Sequence, residues 1–157
     1  MALHDTPTEA TEAFGDDSQL RSIAEAVLRP DEAIAVLAPC TPMAPSTWRA
    51  LLRVALGVDA RAFGVVVTNQ RVLIFAGTTM RRLSAPAAHR STRFNERPAF
   101  DESIADVSVA LGRVFSRTTF GIARRGDRRR LWLGVAVDHP DRDAGLEAIV
   151  SRLRTAP

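Results

Sequence analysis

The most strongly patterned segment of the chain consists of two apolar runs separated by four polar residues, FGVVVTNQRVLIFAG at positions 63–77. β-Branched side chains dominate both runs, and such side chains favour strands. If Asn69 and Gln70 form a two-residue turn, three cross-strand pairs share one face and every member is apolar. Those pairs are Val67 with Val72, Val65 with Ile74, and Phe63 with Ala76. The pattern therefore predicts a β-hairpin with the polar tip Thr-Asn-Gln-Arg.

A second hairpin is predicted in TTFGIARRGDRRRLWLGVAV, positions 118–137. Gly126 and Asp127 would form its turn, with glycine first as a type II′ turn requires. One face would be core-facing and would pair Ile122 with Leu131, Phe120 with Leu133, and Thr118 with Val135. The opposite face would pair Gly121 with Trp132, Ala123 with Arg130, and Arg125 with Arg128. Two hairpins with the same period-2 pattern indicate a largely antiparallel β protein.

Apolar stripes at helical spacing predict three helices around these hairpins. The stripes are Leu20, Ile23, Ala24, Val27 and Leu28; Trp48, Leu51, Leu52, Ala55 and Leu56; and Leu146, Ile149, Val150 and Leu153, in a helix starting near Pro140. We expect the middle helix to pack over Val66, Leu73 and Phe75 of the first hairpin. Further strands are expected at 33–38, 79–84 and 104–110, and residues 85–100 are expected to form an exposed loop.

Length and composition favour a single α+β domain. The 157 residues and 17.1 kDa suit one core, and we assign residues 17–157 to it and residues 1–16 to a disordered tail. Cys40 is the only cysteine, so no disulfide framework forms within the chain. The sequence shows neither a basic-then-apolar leader nor an apolar run of about 20 residues. These features predict a cytoplasmic protein.

The net charge of +3 conceals an asymmetry. Residues 1–32 carry eight acids and two arginines, whereas residues 61–130 carry fourteen arginines and five acids. All basic residues are arginine, which is typical of a high-GC bacterial genome. A basic middle section indicates an anionic partner or an acidic N-terminus folded over it.

The order of elements and the hairpin tip resemble the bacterial pleckstrin-homology-like (PH-like) and GRAM-like domains. The sequence DEAI at 31–34 matches their acid-led first strand, VTNQRVLIF at 67–75 matches their hairpin, and IADV at 104–107 resembles the start of a later strand. The resemblance implies a small β-barrel of about seven antiparallel strands, capped by the C-terminal helix, with a helical insertion after the first strand. It also implies an adaptor that binds lipid headgroups, peptides or copies of itself. The first loop has only Arg49, Arg53 and Arg61, which does not match the phosphoinositide-binding pattern.

An arginine-rich stretch around the second hairpin is the richest candidate site. Its members are Arg113, Arg117, Arg124, Arg125, Arg128, Arg129 and Arg130, with Trp132 nearby. Guanidinium groups pair with phosphate or carboxylate groups through two hydrogen bonds. The predicted ligand is therefore an anionic phospholipid surface or an acidic protein. Single-stranded nucleic acid, bound with help from Trp132, is the alternative ligand. The alternative without function is a solvated hairpin tip.

Catalytic and metal-binding patterns are lacking in the sequence. The three histidines, His4, His89 and His139, lie far apart, and no nucleophile elbow, phosphate-binding glycine loop or zinc spacing occurs. The acids around His139 are expected to complement the N-terminus of the last helix. Ser84 follows two arginines and resembles a kinase site, although a strand end is the simpler interpretation. We expect no enzyme activity, metal or cofactor.

The sequence as a whole predicts a non-enzymatic PH-like binding or adaptor module whose basic hairpin contacts an anionic surface, such as the inner face of the membrane, or an acidic partner. Two alternatives remain open at this level. One is a nucleic-acid-binding β-barrel that uses Arg128, Arg130 and Trp132. The other is a self-association domain that forms a homo-oligomer and binds no small ligand.

Overall fold

The computed structural model describes residues 15–43, 60–81, 90–114, 117–135 and 142–154. This part of the chain forms two α-helices and eight β-strands. The helices are α1 (Gly15–Glu25) and α2 (Arg142–Arg154). The strands are β1 (Ile34–Pro42), β2 (Ala60–Thr68), β3 (Arg71–Arg81), β4 (Arg90–Phe94), β5 (Phe100–Ser103), β6 (Val107–Val114), β7 (Arg117–Arg124) and β8 (Leu131–Val135). A short 3-10 helix, Ile104–Asp106, joins β5 to β6.

All described strands belong to one antiparallel sheet with the order β4-β3-β2-β1-β8-β7-β6, and β5 pairs separately with β3. The sheet is not closed within the described residues, because β6 pairs with β7 alone. The 3-10 helix lies between its two ends: the Ile104 N–H donates to Gln70 O (3.0 Å) and the Arg125 N–H donates to Asp106 O (2.6 Å). A small α+β fold is therefore present, but the closed barrel of about seven strands is not shown.

The first hairpin has the predicted register. Val67 pairs with Val72, Val65 with Ile74, and Phe63 with Ala76, with Asn69 and Gln70 as the turn. The four central members of these pairs, Val65, Val67, Val72 and Ile74, are at most 1% exposed. The apolar face therefore defines the register as expected, since a one-residue slip would move it to the other side of the sheet.

The second hairpin agrees with the prediction only in its middle. Phe120 pairs with Leu133 and Ile122 with Leu131, as predicted, but β7 ends at Arg124 and β8 begins at Leu131. Residues 125–130 form a loop, so the predicted pairs of Ala123 with Arg130 and Arg125 with Arg128 are not part of the ladder. The turn is also shifted by one residue, because Asp127 N–H donates to Arg124 O (3.0 Å) and Gly126, with φ of +94°, takes its third position.

Each face of the sheet has its own core. On one face, α2 contributes Ile149, Val150 and Leu153 to a cluster with side chains of β1–β3 and β6–β8, as the predicted C-terminal stripe requires. On the other face, Leu20 and Ala24 of α1 pack on β2 and β3. The side chains beneath α1 are Val66, Leu73 and Phe75. The sequence did not predict this contact of α1, and the helix at 48–56 that was expected to pack over these three residues lies outside the described residues.

Several boundaries differ from the sequence prediction, and one is that of β1, which was expected at 33–38 and runs over Ile34–Pro42. β3 continues through Gly77 to Arg81, so the separate strand at 79–84 is wrong. Residues 90–94 form β4 within the predicted loop 85–100, and Phe94 is buried. A side chain at Gly77 would place its Cβ 2.7 Å from Arg93 O, so this glycine admits β4 at close range instead of ending a strand. The predicted strand 104–110 begins three residues later, after the 3-10 helix.

Several predicted features fall outside the described residues. These are positions 1–14 of the tail, the helical insertion at 46–57, Ser84, and the acids at 138 and 141 with the three histidines. Within the predicted tail, positions 15 and 16 belong to α1.

Candidate functional site

The arginine-rich stretch divides between opposite ends of β7. Residues 124–130, named the arginine loop, comprise the last residue of β7 and the loop after it, and they contain five arginines and one aspartate, for a net charge of +4. Arg113 and Arg117 lie at the other end, where β6 passes into β7 and Val114 pairs with Arg117. The eight residues of β7 extend over roughly 23 Å. The predicted set of seven arginines is thus two separate groups.

Both ends of the arginine loop are fixed to the neighbouring strands. At its start, Arg124 Nε pairs with the Glu102 carboxylate of β5. At its end, Arg130 Nη1 donates to Ser108 Oγ (3.0 Å) and to Ser108 O (3.3 Å) of β6. The Arg125 N–H to Asp106 O bond adds a third attachment. The loop therefore holds a defined position beside β6 and the 3-10 helix.

Three arginines of the loop project from this anchored frame. The side chains of Arg125, Arg128 and Arg129 are exposed, and none of them forms an ion pair with a described residue. The nearest acid in sequence, Asp127, is also exposed and forms no ion pair in this part of the chain. Within the described residues, these three cations therefore have no carboxylate that neutralises them.

Trp132 lies on the outer face of the sheet across two glycines. A Cβ at Gly112 would come within 2.6 Å of its ring, and one at Gly121 within 3.0 Å. The ring is half-buried by this contact. Beside it, Thr119 is fully buried and its Oγ1 has no hydrogen-bond partner in the structure. The indole therefore covers a surface without side chains, and part of its stacking area is already used.

The two arginines at the far end have different surroundings. Arg117 Nη2 donates to Val135 O (3.0 Å), which ties β7 to the end of β8. Arg113 is exposed on β6, opposite Thr118. Thr118 itself is exposed at the strand end, contrary to its prediction as a core-facing residue.

The strongest electrostatic feature of the described residues was not assigned a role from the sequence. It is the Arg71 network, made of Glu32, Thr68, Arg71 and Asp101. Arg71 donates from Nε to Glu32 Oε1 (2.8 Å), from Nη2 to Glu32 Oε2 (2.9 Å) and from Nη1 to Asp101 Oδ2 (2.7 Å). Thr68 Oγ1 donates to Glu32 Oε1 (2.6 Å), and Arg71 Nη2 also donates to Val27 O (2.7 Å). The network connects the end of α1, the start of β1, the first hairpin and β5.

Burial and hydrogen bonding act in opposite directions on Glu32. Burial by itself would raise the pKa of this carboxyl group. Hydrogen bonds from Arg71, from the Arg29 N–H and from Thr68, with the charge of Arg71, outweigh it and lower the pKa of Glu32 from 4.5 to about 2. The hydrogen bond with Glu32 is also the largest cause that raises the pKa of Arg71. Both partners are therefore charged at neutral pH. The acid of DEAI and the arginine of TNQR thus have a structural role, because both belong to the Arg71 network.

The described residues contain neither a metal-binding cluster nor a membrane-spanning helix. No group of three or more histidine, cysteine, aspartate or glutamate side chains there could hold a metal ion. Neither described helix has the length and apolar composition needed to cross a bilayer.

Comparison with known proteins places few constraints on the chain. No family model matches the sequence, and no curated protein is significantly similar to it. One solved structure that is similar is the hSac2 domain from the human phosphoinositide phosphatase Sac2, at 11% identity and a TM-score of 0.45. That alignment covers 88% of this chain and 77% of the Sac2 domain chain. The resemblance to PH-like and GRAM-like domains is not confirmed by these comparisons.

Proposed function

We propose that this chain is a non-enzymatic, PH-like binding module whose arginine loop contacts an anionic membrane surface. The single observation that carries the proposal is the arrangement of the loop: Arg124 and Arg130 fix its ends, while Arg125, Arg128 and Arg129 project without ionic partners in the described chain. A fixed loop loses little conformational freedom when it binds, so the attraction of its cations is opposed by a smaller entropic cost.

The PH-like assignment is supported by the order of the strands in the sheet and by the Arg71 network. β1 lies between β2 and β8, and α2 packs on the inner face of the sheet. Thr68 and Arg71 of the hairpin tip form one buried network with the acid at position 32, and these residues belong to the motifs that carry the resemblance. These features fit a small barrel-like module with a C-terminal helix, and they leave the arginine loop exposed.

The expected strength of membrane binding follows from the charges. Each arginine near an acidic bilayer contributes about 1 kcal/mol, and three together contribute about 3 kcal/mol, or roughly a hundredfold in partitioning. The attraction decreases as salt is added, because the Debye length is about 10 Å at 0.1 M and shorter at higher salt.

The test compares two triple variants in liposome sedimentation. The loop variant is Arg125→Glu, Arg128→Glu and Arg129→Glu, which leaves the anchoring arginines intact. The matched control is Arg61→Glu, Arg93→Glu and Arg97→Glu, which changes the net charge equally at three exposed positions outside the arginine loop. Circular dichroism first establishes that both variants remain folded.

We expect wild type and the control to sediment with phosphatidylserine-containing vesicles at low salt, and the loop variant to lose this binding by roughly a hundredfold or more. Equal loss in both variants would show only a net-charge effect and would contradict the proposal. Binding to a single-stranded oligonucleotide without binding to vesicles would favour the nucleic-acid alternative. Binding to neither probe would also refute a membrane role.

A further inference from the structure

β6 is an edge strand with little protection against pairing. It runs over eight residues, Val107–Val114, and its only strand partner in the described residues is β7. Most of β6 is half-exposed or exposed, whereas five consecutive residues of β7 are buried. Natural edge strands are commonly protected by charges, prolines or bulges. β6 contains no proline and one charge, Arg113, whereas the opposite edge strand β4 has two arginines in five residues.

An exposed apolar side chain lies near the middle of this edge. Leu111 is 45% exposed, and among the described residues it is the one large apolar side chain that is exposed. It lines an open groove of about 500 Å³ between β6–β7 and α2, together with Thr118, Leu146 and Val150. Leu111 and the half-buried Leu146 thus leave apolar surface beside a row of backbone groups that lack a strand partner in the described part of the chain.

We propose that a second copy of this chain pairs antiparallel with β6 through its own β6, around a two-fold axis normal to the sheet. Such an axis keeps the inward side chains of both copies on the same side of the joined sheet. Directly opposite residues must then point to the same face of the sheet, so odd positions pair with odd positions and even with even. Two registers satisfy this condition with seven residue pairs each. One register places Ala110 opposite Ala110 of the second copy, and the other places Leu111 opposite Leu111.

Both registers make the edge complementary to itself. Leu111 meets Val109 of the second copy in the first register and Leu111 in the second, so its exposed surface is buried against an apolar residue. Arg113 faces Val107 or Val109 of the second copy, and the two Arg113 side chains are never directly opposite, which avoids like-charge repulsion. Leu111 lies close to the centre of β6. The two-fold axis that pairs the largest number of residues therefore also buries the Leu111 side chain of both copies. This coincidence favours a second copy over an unrelated peptide.

The test measures the mass of the full chain by sedimentation velocity over a wide range of concentration, without vesicles present. We expect wild type to reach twice its chain mass of 17.1 kDa with increasing concentration. Leu111→Glu places two carboxylates at or near the axis and should weaken self-association by roughly tenfold or more. The matched control Arg93→Glu introduces a carboxylate at an exposed position of β4 and should leave association unchanged.

A cross-linking measurement supports the assay without relying on an added charge. In Leu111→Cys, the two introduced thiols lie about 5 Å apart when directly opposite or about 7–8 Å apart on the diagonal, both within reach of a short bismaleimide. Cys40 is buried and should not react. The proposal fails if wild type remains monomeric at every concentration, if Leu111→Glu associates normally, or if Arg93→Glu weakens association equally. Absence of a linked dimer in Leu111→Cys would overturn it as well.

Discussion

Replacing Glu32 with glutamine tests whether the Arg71 network holds the N-terminal segment to the sheet. Glu32 has a side chain that is 0% exposed and a pKa lowered from 4.5 to about 2. Because a tenfold change in an ionisation constant corresponds to about 1.4 kcal/mol, its ionised form contributes roughly 3 kcal/mol to folding. Glutamine keeps the size but removes the charge and leaves Arg71 with Asp101, which is 42% exposed. We expect a loss of roughly 3 kcal/mol from a total of about 5–15 kcal/mol.

Urea unfolding of wild type and Glu32→Gln at several pH values measures this loss. The folded pKa of Glu32 lies below its unfolded value, so its contribution is complete above pH 4.5 and is lost as the pH falls toward about 2. The stability of the variant should therefore depend less on pH in that window. The matched control is Glu102→Gln, which breaks the more exposed pair with Arg124 and should cost at most about 1 kcal/mol. Equal losses in both variants, or an unchanged pH profile in Glu32→Gln, would refute the reasoning.

Two further predictions concern buried packing. A Cβ at Gly64 would lie 2.2 Å from Leu20 Cδ1, so Gly64→Ala should cost about 1–3 kcal/mol and Leu20→Ala about 2–5 kcal/mol. In urea unfolding, the double variant should lose less free energy of unfolding than the sum of the two single losses, by more than about 0.5 kcal/mol. Additive losses would contradict direct contact of α1 with β2. Burial raises the pKa of the Cys40 thiol, so the folded protein should resist iodoacetamide and react at the rate of unfolding. Rapid native labelling, detected by mass spectrometry, would show that the β1 core is open.

The hairpins could be predicted because their patterns are local. Val65 and Val72 belong to an apolar face that is visible within a few residues of sequence, and the turn between them does not depend on residues far away in the sequence. The course of β3 beyond Gly77 could not be predicted in this way. There, a glycine interrupts the apolar run, but the reason is the close approach of Arg93 on β4, which is known only once the strands are paired. β4 itself has one buried apolar side chain, Phe94, and its sequence carries too little alternation to mark a strand.

The candidate site was predictable in composition but not in arrangement. The sequence shows that arginines are concentrated near the second hairpin. It does not show that Arg124 and Arg130 are held by Glu102 and Ser108, because these partners lie 22 positions away and meet them only across β6 and β5. The distinction between anchoring and projecting arginines depends on tertiary contacts. The same is true of Glu32, whose partner Arg71 is 39 positions distant.

The position of β1 has a consequence for synthesis of the chain on the ribosome. β1 pairs with β2, which is the next strand in the sequence, and with β8, the last strand, where Cys40 pairs with Val135. Until position 135 has been translated, one edge of β1 therefore has no native partner, and an open edge can recruit other nascent chains. Backbone groups of successive strand residues point to alternate edges, and the Met43 N–H donates to Trp132 O of β8, so position 39 also faces the β8 edge. Pro39 lacks a backbone N–H and interrupts any continuous ladder that a foreign strand could form along that edge. Pro39 thus makes the first strand of the sheet a poorer template for aggregation during the interval before β8 arrives.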